Sequence, residues 1–183
     1  GIILGSLFTA GITALQYFAD DIEISSIVFW TFGDIGRASW RDFRILLIVV
    51  TGAMFLFMQS RWNYNALDTG DEMAKSLGVN VEKTRLTGMV TASLATAVAV
   101  SFFGIIECVG LVVPHIVRRI IGGDERFLIP ASALFGAFFL LVSDTVARTV
   151  IAPVVLPVGI LTSFLGAPLF LYLLIRGIGK GYW

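Results

Sequence analysis

Long apolar stretches separated by short polar segments are the dominant pattern along this chain. Six such stretches run at about residues 1–19, 43–61, 85–104, 106–121, 129–145 and 158–176. At a rise of about 1.5 Å per residue, a helix of roughly 20 residues crosses a hydrocarbon core about 30 Å thick. The pattern therefore predicts an all-α, polytopic transmembrane helix bundle of about six spans.

The longest polar connection, residues 61–85, predicts one short amphipathic helix between two spans. Asp68 or Thr69 can cap its N-terminus, Gly78 can end it, and Asn80 can cap the helix that follows. Met73 and Leu77 lie four residues apart and give this helix one apolar stripe. The stripe needs a surface against which to be buried, either the lipid headgroups or a partner protein. Both alternatives remain open on the residues alone.

Small residues recur at fourfold spacing in two of the predicted spans. Gly1, Gly5 and Thr9 share one face of the first span, as in helices that approach each other closely. Packing within the chain and a role in a pathway or dimer contact are both compatible with this spacing. Two rows in the span 85–104 predict close neighbours on two sides and a central position for that helix: Thr87, Thr91, Ala95 and Ala99; Ser93, Ala97 and Ser101.

Composition places the chain in a membrane and limits the chemistry that it can carry. Hydrophobic residues make up 57% and charged residues 14% of the chain, with a mean hydropathy of +0.89. Soluble domains carry about 25% charged residues. The formal net charge is zero, which gives no basis for nucleic-acid binding. One cysteine and one histidine cannot build an internal disulfide or a His/Cys metal cage, so no metal site or cofactor is predicted.

A few polar residues stand out within or beside the apolar stretches. Pro114 frees a backbone carbonyl, which membrane helices tolerate where neighbouring protein satisfies it. His115 follows directly, and Arg118 lies three residues further on the same helical face. His115 is expected to satisfy a freed carbonyl more readily than to act as a ligand. Glu107, between two spans, is expected near a membrane interface, because a carboxylate in the core is costly.

The spans hold almost no clustered polar residues of the kind that an intramembrane enzyme requires. Asp144 and Arg148 lie four apart with the acid first, which predicts a helical ion pair. No phosphate-binding Gly-rich motif is present, so the residues do not indicate a nucleotide-hydrolysing site. The residues therefore give little support to an enzyme.

Basic residues are unequally divided between the two sets of connections. One set carries nine of them: Arg61, Lys75, Lys83, Arg85, Arg118, Arg119, Arg126, Arg176 and Lys180. The other carries four: Arg37, Arg41, Arg44 and Arg148. The positive-inside rule then places the 61–85 connection and the C-terminus in the cytoplasm of a multi-pass cell-membrane protein.

Four ordered motifs resemble those of one transporter family. They read VGLVVPHIVR at 109–118, SLGV at 76–79, DTVART at 144–149, and LPVGILT followed by LGAPLF at 156–170. They closely resemble the permease subunits of ABC importers for iron-siderophore complexes, haem and cobalamin, the FecCD or vitamin B12 permease family. The resemblance implies one transmembrane permease domain over 1–183, the C-terminal part of a roughly ten-span type II importer permease without its first spans.

The resemblance also implies partners and roles for particular residues. The partners would be a cytoplasmic ABC ATPase, an extracytoplasmic substrate-binding protein, a second permease copy and membrane lipid. The coupling helix that docks into the ATPase would comprise Met73, Ala74, Lys75, Ser76, Leu77 and Gly78. Arg148, oriented by Asp144 and assisted by Arg37, would meet the binding protein.

Two further sets of residues follow from the same resemblance. Residues lining the pathway would be Gly1, Gly5, Thr9, Gly159, Thr162 and Gly166. A structural motif around the proline would comprise Gly110, Pro114, His115 and Arg118. In this interpretation the chain is not itself an enzyme. It would form the path for an iron-siderophore, haem or cobalamin-type complex. A structural or assembly subunit and an intramembrane enzyme are the alternatives.

Overall fold

A computed structural model of the chain describes residues 2–150 and 156–178, and these residues form helices without any strand. The all-α prediction is therefore confirmed. In chain order the α-helices are α1 (Ile2–Phe18), α2 (Asp21–Thr31), α3 (Trp40–Asp68), α4 (Asp71–Ser76), α5 (Val81–Phe103), α6 (Val109–Ile121), α7 (Glu125–Thr149) and α8 (Val158–Ile178), with a short 3-10 turn at Ile35–Arg37 between α2 and α3.

Two long helices, α3 and α7, form the centre of the bundle. They contact each other, α3 also packs against α4 and α5, and α7 also packs against α6 and α8. The prediction that α5 is central was wrong, because only one of its small-residue rows is covered. Thr91, Ala95 and Ala99 are half-buried, whereas the row of Ser93, Ala97 and Ser101 is exposed.

Within residues 2–150 and 156–178, three helices are long and apolar enough to cross a membrane: α3 with 29 residues, α5 with 23 and α7 with 25. Helix α1 is apolar but has 17 residues. The predicted span at 106–121 is shorter than expected, because α6 has 13 residues and a length of about 20 Å. Helix α6 begins only at Val109, because the backbone leaves helical geometry at Gly104 and Cys108, which both have positive φ.

Large apolar side chains point outward over much of the bundle. The buried core is small and centres on Val113, Val117 and Leu128, with Phe135 and Phe139 packed against it. Exposed large side chains lie on most helices, among them Leu7, Phe8, Ile48, Phe55, Leu134 and Phe138. An aqueous protein rarely leaves such continuous apolar surface uncovered, so this outside is suited to lipid or to further membrane helices.

The helix connections gather at two opposite ends of the bundle. At one end, named here the α4 end, α3 ends, α5 and α7 begin and α6 ends; contacts such as Arg118 to Asp68 join these segments. The opposite end, the Arg148 end, holds the 3-10 turn, the loop 104–108, the end of α7 and the start of α8. There the Asp34 N–H donates to the Phe103 carbonyl at 2.9 Å. Among the described residues, the connections 61–85 and 118–129 thus lie at the α4 end, and the connections that carry Arg37 and Arg148 lie at the Arg148 end.

The residues that cap α4 and α5 agree with the sequence prediction for one helix and differ for the other. Asn80 caps α5 as predicted, since its side-chain oxygen accepts from the Lys83 N–H at 3.0 Å. The prediction that Asp68 or Thr69 caps α4 was wrong, because the N-cap is Gly70. Helix α3 continues to Asp68, and the Asp68 carboxylate is engaged by Arg118 instead.

Candidate functional site

Helix α4 presents one small residue to the chain and two large apolar residues to the outside. Ala74 is 0% exposed, whereas Met73 is 57% and Leu77 65% exposed. Lys75 and Ser76 are exposed as well. The predicted stop is confirmed, because Gly78 has a φ of +83° and its N–H donates to the Lys75 carbonyl at 3.0 Å. The predicted apolar stripe therefore remains uncovered by the described chain.

Polar contacts hold the segments around α4 in place. Asp71, in its first turn, forms an ion pair with Arg85 of α5 at 3.0 Å. Asp68, the last residue of α3, pairs with Arg118 in the last turn of α6. Both pairs are about half-exposed, and such pairs contribute little to stability. They join α4 and its N-terminal flank to two different helices.

A second polar group joins the end of α3 to the start of α7. The Asn65 side chain donates to the Asp124 carboxylate at 2.9 Å and accepts from the Glu125 N–H at 2.8 Å. Asp124 is the N-cap of α7, and its carboxylate also accepts from the Arg126 N–H at 3.0 Å. The Arg126 guanidinium lies 4.7 Å from the ring centre of Trp62, a cation–π distance.

The pKa of Asp124 is lowered by these contacts. The hydrogen bond from Asn65 is the largest cause, followed by that from the Arg126 backbone, and both favour the ionised carboxylate. An ionised Asp124 at the start of α7 also interacts favourably with the positive end of the helix dipole. The α4 end is therefore built to keep this carboxylate charged.

At the opposite end, Arg148 forms the predicted ion pair with Asp144. Arg148 Nε donates to Asp144 Oδ2 at 2.8 Å and Nη2 to Oδ1 at 3.2 Å, a bidentate geometry. The guanidinium packs beside Gly36, where a Cβ would lie 2.8 Å from Arg148 Nη2. Arg37 is the next residue and makes a loose ion pair with Asp34 at 3.8 Å. The fold thus brings the three candidate docking residues to one half-exposed patch.

Three glycines meet beside this patch, and sequence reasoning missed the contact. A Cβ on Gly33 or Gly159 would collide with the Ile105 carbonyl, and one on Gly104 would collide with the Trp30 carbonyl. The Gly159 N–H donates to the Gly33 carbonyl at 3.3 Å. We call Gly33, Gly104 and Gly159 the glycine junction, since it joins the loop after α2, the loop after α5 and the start of α8. Glycine in two interhelical loops and at the start of a helix is the signal that could have indicated it.

The predicted pathway residues divide into an exposed set and a buried set. Gly1 lies outside the described residues. Gly5 and Thr9 lie on the exposed surface of α1, and no atom lies within 4 Å of a Cβ built on Gly5.

Gly159, Thr162 and Gly166 on α8 are buried instead, and Gly166 faces Cys108. Their small size lets other backbone come close, so the side of α8 that they occupy faces the chain rather than an open path.

Helix α6 carries the proline motif on a helix with two unlike faces. Val112, Val113 and Val117 are buried, while Gly110, His115 and Arg118 are exposed. Pro114 lies inside the helix. Within the described residues His115 makes no hydrogen bond to a freed carbonyl, so its expected role stays a prediction. Arg118 does find a partner, but on α3.

Glu107 is exposed in the loop between α5 and α6, at the Arg148 end. It lines an open cleft of about 290 Å³ together with Phe32, Ile105, Ser163 and Phe164 among others. Within residues 2–150 and 156–178, no group of three or more His, Cys, Asp or Glu side chains is placed to hold a metal ion.

Comparison with known proteins identifies relatives over nearly the whole chain. A protein of Methanocaldococcus jannaschii that is named as an ABC transporter permease is 62% identical over 176 residues, which cover 96% of this chain and 50% of that protein. The hemin transport system permease protein of Yersinia pestis is 39% identical over 176 residues, covering 96% and 53%. The chain thus spans about half the length of the curated relatives that it matches.

A solved structure of a metal-chelate type ABC transporter in an inward-facing conformation superposes on the chain with a TM-score of 0.89 at 32% identity. The match covers 96% of this chain and 57% of that one. The model of the FecCD transport family matches residues 1–176. Family model, relatives and solved structure agree with the ordered motifs and with the helical bundle, and the chain therefore belongs to the FecCD transport family.

Proposed function

We propose that this chain forms part of the permease subunit of a binding-protein-dependent ABC importer. The observation that carries the proposal is the uncovered apolar face of α4, Met73 and Leu77, held at one end of a membrane helix bundle of the FecCD fold. Such a face is suited to a partner protein that supplies energy from the cytoplasm. The chain itself is then a non-catalytic transport subunit, and a separate ATPase hydrolyses ATP.

The coupling surface follows from the exposure of the individual residues. Met73, Lys75, Ser76 and Leu77 are exposed and available to an ATPase, with Gly78 closing the helix. Ala74, predicted as part of this surface, is buried against the chain and fixes α4 to the bundle instead. The proposed coupling surface therefore leaves out Ala74 from the six residues at 73–78 that the resemblance implied.

The α4 end is assigned to the cytoplasm. Basic residues are concentrated there, as the positive-inside rule requires, and the ATPase-facing helix falls on the side that has ATP. The Arg148 end then faces the outside, where Arg148, Asp144 and Arg37 form a charged patch. A substrate-binding protein with acidic groups at its rim would fit this patch.

The pathway is assigned to the exposed side of α1 and α8 and to the contact with a second permease copy. Gly5 and Thr9 leave room for close approach along α1. Alternating access would follow when closure of two ATPases moves α4. Iron-siderophore, haem and cobalamin-type complexes are the proposed cargo class, since relatives are named as permeases for hemin, vitamin B12 and iron chelatin.

The test is disulfide cross-linking between α4 and the ATPase in the complete permease. Cysteine in place of Ser76 should form a disulfide with a cysteine in the ATPase cleft, while cysteine in place of Arg119 in the last turn of α6 should not. Both residues are exposed and lie at the α4 end, so accessibility from the cytoplasm is matched. Absence of cross-links at Met73, Lys75, Ser76 and Leu77 alike would instead support a structural subunit.

A further inference from the structure

Helix α4 is too short to hold its own orientation. It has six residues, whereas isolated helices below about 12 residues are marginal in water. All six residues are described, and among them Ala74 alone is buried. The direction of α4 is therefore decided by its few contacts with neighbouring helices.

Ion pairs lie on both sides of the N-terminus of α4. Asp71, inside the helix, pairs with Arg85 of α5, and Asp68, just before it, pairs with Arg118 of α6. The chain between the two aspartates is Thr69–Gly70, and Gly70 has a φ of +107°. Gly70 thus forms a bend with a fixed attachment on either side.

Arg118 also connects α4 to the interior of the bundle. It lies in the last turn of α6, whose opposite face carries Val113 and Val117 in the core with Leu128 of α7. Helix α6 packs against α8 as well. When the corner between α3 and α4 moves, the Asp68–Arg118 ion pair can therefore move α6 with it. Helix α6 in turn packs against α7 and α8, which both reach the Arg148 end.

We propose that Asp68 and Arg118 are positioning residues that hold α4 in a fixed position relative to α6. This inference rests on the proposed coupling function. An exposed pair contributes little to global stability, so its effect is expected in the placement of α4 and in the transfer of its movement. Arg119, the adjacent residue, is exposed and has no ion pair within the described chain, so it offers a matched control.

The first experiment measures amide hydrogen exchange over residues 70–78 in the complete permease in lipid nanodiscs. We expect Arg118→Gln and Asp68→Asn to raise the exchange rate about two- to fivefold, the range for loss of an exposed pair. Arg118→Lys, which keeps the charge, should restore protection, and Arg119→Gln should leave it unchanged. Equal rates in Arg118→Gln and Arg119→Gln would overturn the proposal.

The second experiment measures ATPase activity after reconstitution with the ATPase and the binding protein. Arg118→Gln should lower the stimulation by the binding protein at least about twofold while co-purification with the ATPase is kept, and Arg118→Lys should recover it. Unchanged stimulation despite faster exchange would overturn the inference alone. A wild-type permease that binds no ATPase would instead refute the proposed function, and the inference with it.

Discussion

Individual glycines determine how the Arg148 end is built. The glycine junction allows three backbone segments to touch where any side chain would intervene. Gly33 and Gly104 also have positive φ, a conformation that costs other residues about 1–2 kcal/mol. The junction lies beside the Arg148 patch and anchors the start of α8.

Replacing Gly104 by alanine should destabilise the chain strongly. The new Cβ would collide with the Trp30 carbonyl in a strained backbone conformation, so the free energy of unfolding should fall by about 2–5 kcal/mol. Gly52→Ala is the control, because it lies inside α3 with no atom within 4 Å of the added Cβ. That change should raise stability by about 0.5–1 kcal/mol. Thermal unfolding in detergent measures the stability of both variants. Equal changes in stability would contradict the close backbone contact inferred at Gly104.

Replacing Asn65 by alanine should cost about 1–3 kcal/mol at neutral pH, because the Glu125 N–H loses its acceptor. Asn63→Ala, an exposed site on the same helix, should have little effect. Unfolding in a denaturing detergent compares the two variants. A similar loss of unfolding free energy in both variants would mean that the hydrogen bond from the Glu125 N–H to Asn65 does not stabilise the fold.

The stability difference between wild type and Asn65→Ala should also depend on pH. The folded-state pKa of Asp124 lies below its usual 3.8, chiefly because of Asn65. This contribution is present above pH 3.8 and is lost as pH falls through the folded pKa. The difference should therefore shrink on acidification, measured by unfolding between neutral pH and pH about 3. A difference that grows as pH falls would contradict this sign.

Among the helices, α4 differs in that its large apolar residues are exposed and its small residue is buried. Ala74 fits it to the bundle, and Met73 and Leu77 remain free for a partner. Helix α3 behaves differently from its predicted span, since it continues beyond Arg61 to Asp68. Its last turns gain Asn65 contacts to α7 and the Asp68 pair to α6. Tertiary contacts therefore extend a helix into a segment that the polar composition marked as a connection.

Changing Met73 and Leu77 together to serine should weaken ATPase binding without unfolding the permease. Loss of two apolar contacts is expected to cost about 2–4 kcal/mol of binding free energy. The matched control is Ile120→Ser with Ile121→Ser, an exposed apolar pair at the same end. Affinity measurements on the purified permease and ATPase compare the variants. An equal loss in the control would indicate nonspecific apolar adhesion.

At the scale of the whole molecule, polar connections are sorted between two ends and apolar side chains cover the outside. The covered faces are those of α3, α6 and α7, while α1 and one side of α5 remain open. Small residues on these open faces, Gly5, Thr9, Ser93 and Ala97, suit close helix contacts. Further spans or a second copy would bury them.

Labelling with a membrane-impermeant thiol reagent tests the orientation. In a Cys108→Ser background, cysteine in place of Thr149 should react from outside intact cells, and cysteine in place of Ser76 only in inverted vesicles. Both sites are exposed in the fold. The reverse pattern would place the α4 end outside and exclude docking of a cytoplasmic ATPase there.

Local patterns in the chain were enough to predict an all-helical protein, its apolar character and the division of its connections into two sets. They also predicted the Asn80 cap, the stop at Gly78 and the Asp144–Arg148 pair, all confirmed. These features depend on residues a few positions apart, whose geometry a helix fixes locally. The burial of Ala74, the contact of Arg118 with Asp68 and the meeting of three distant glycines became visible only in the folded chain. Such contacts join residues far apart in the chain, and helix packing rather than local propensity selects them.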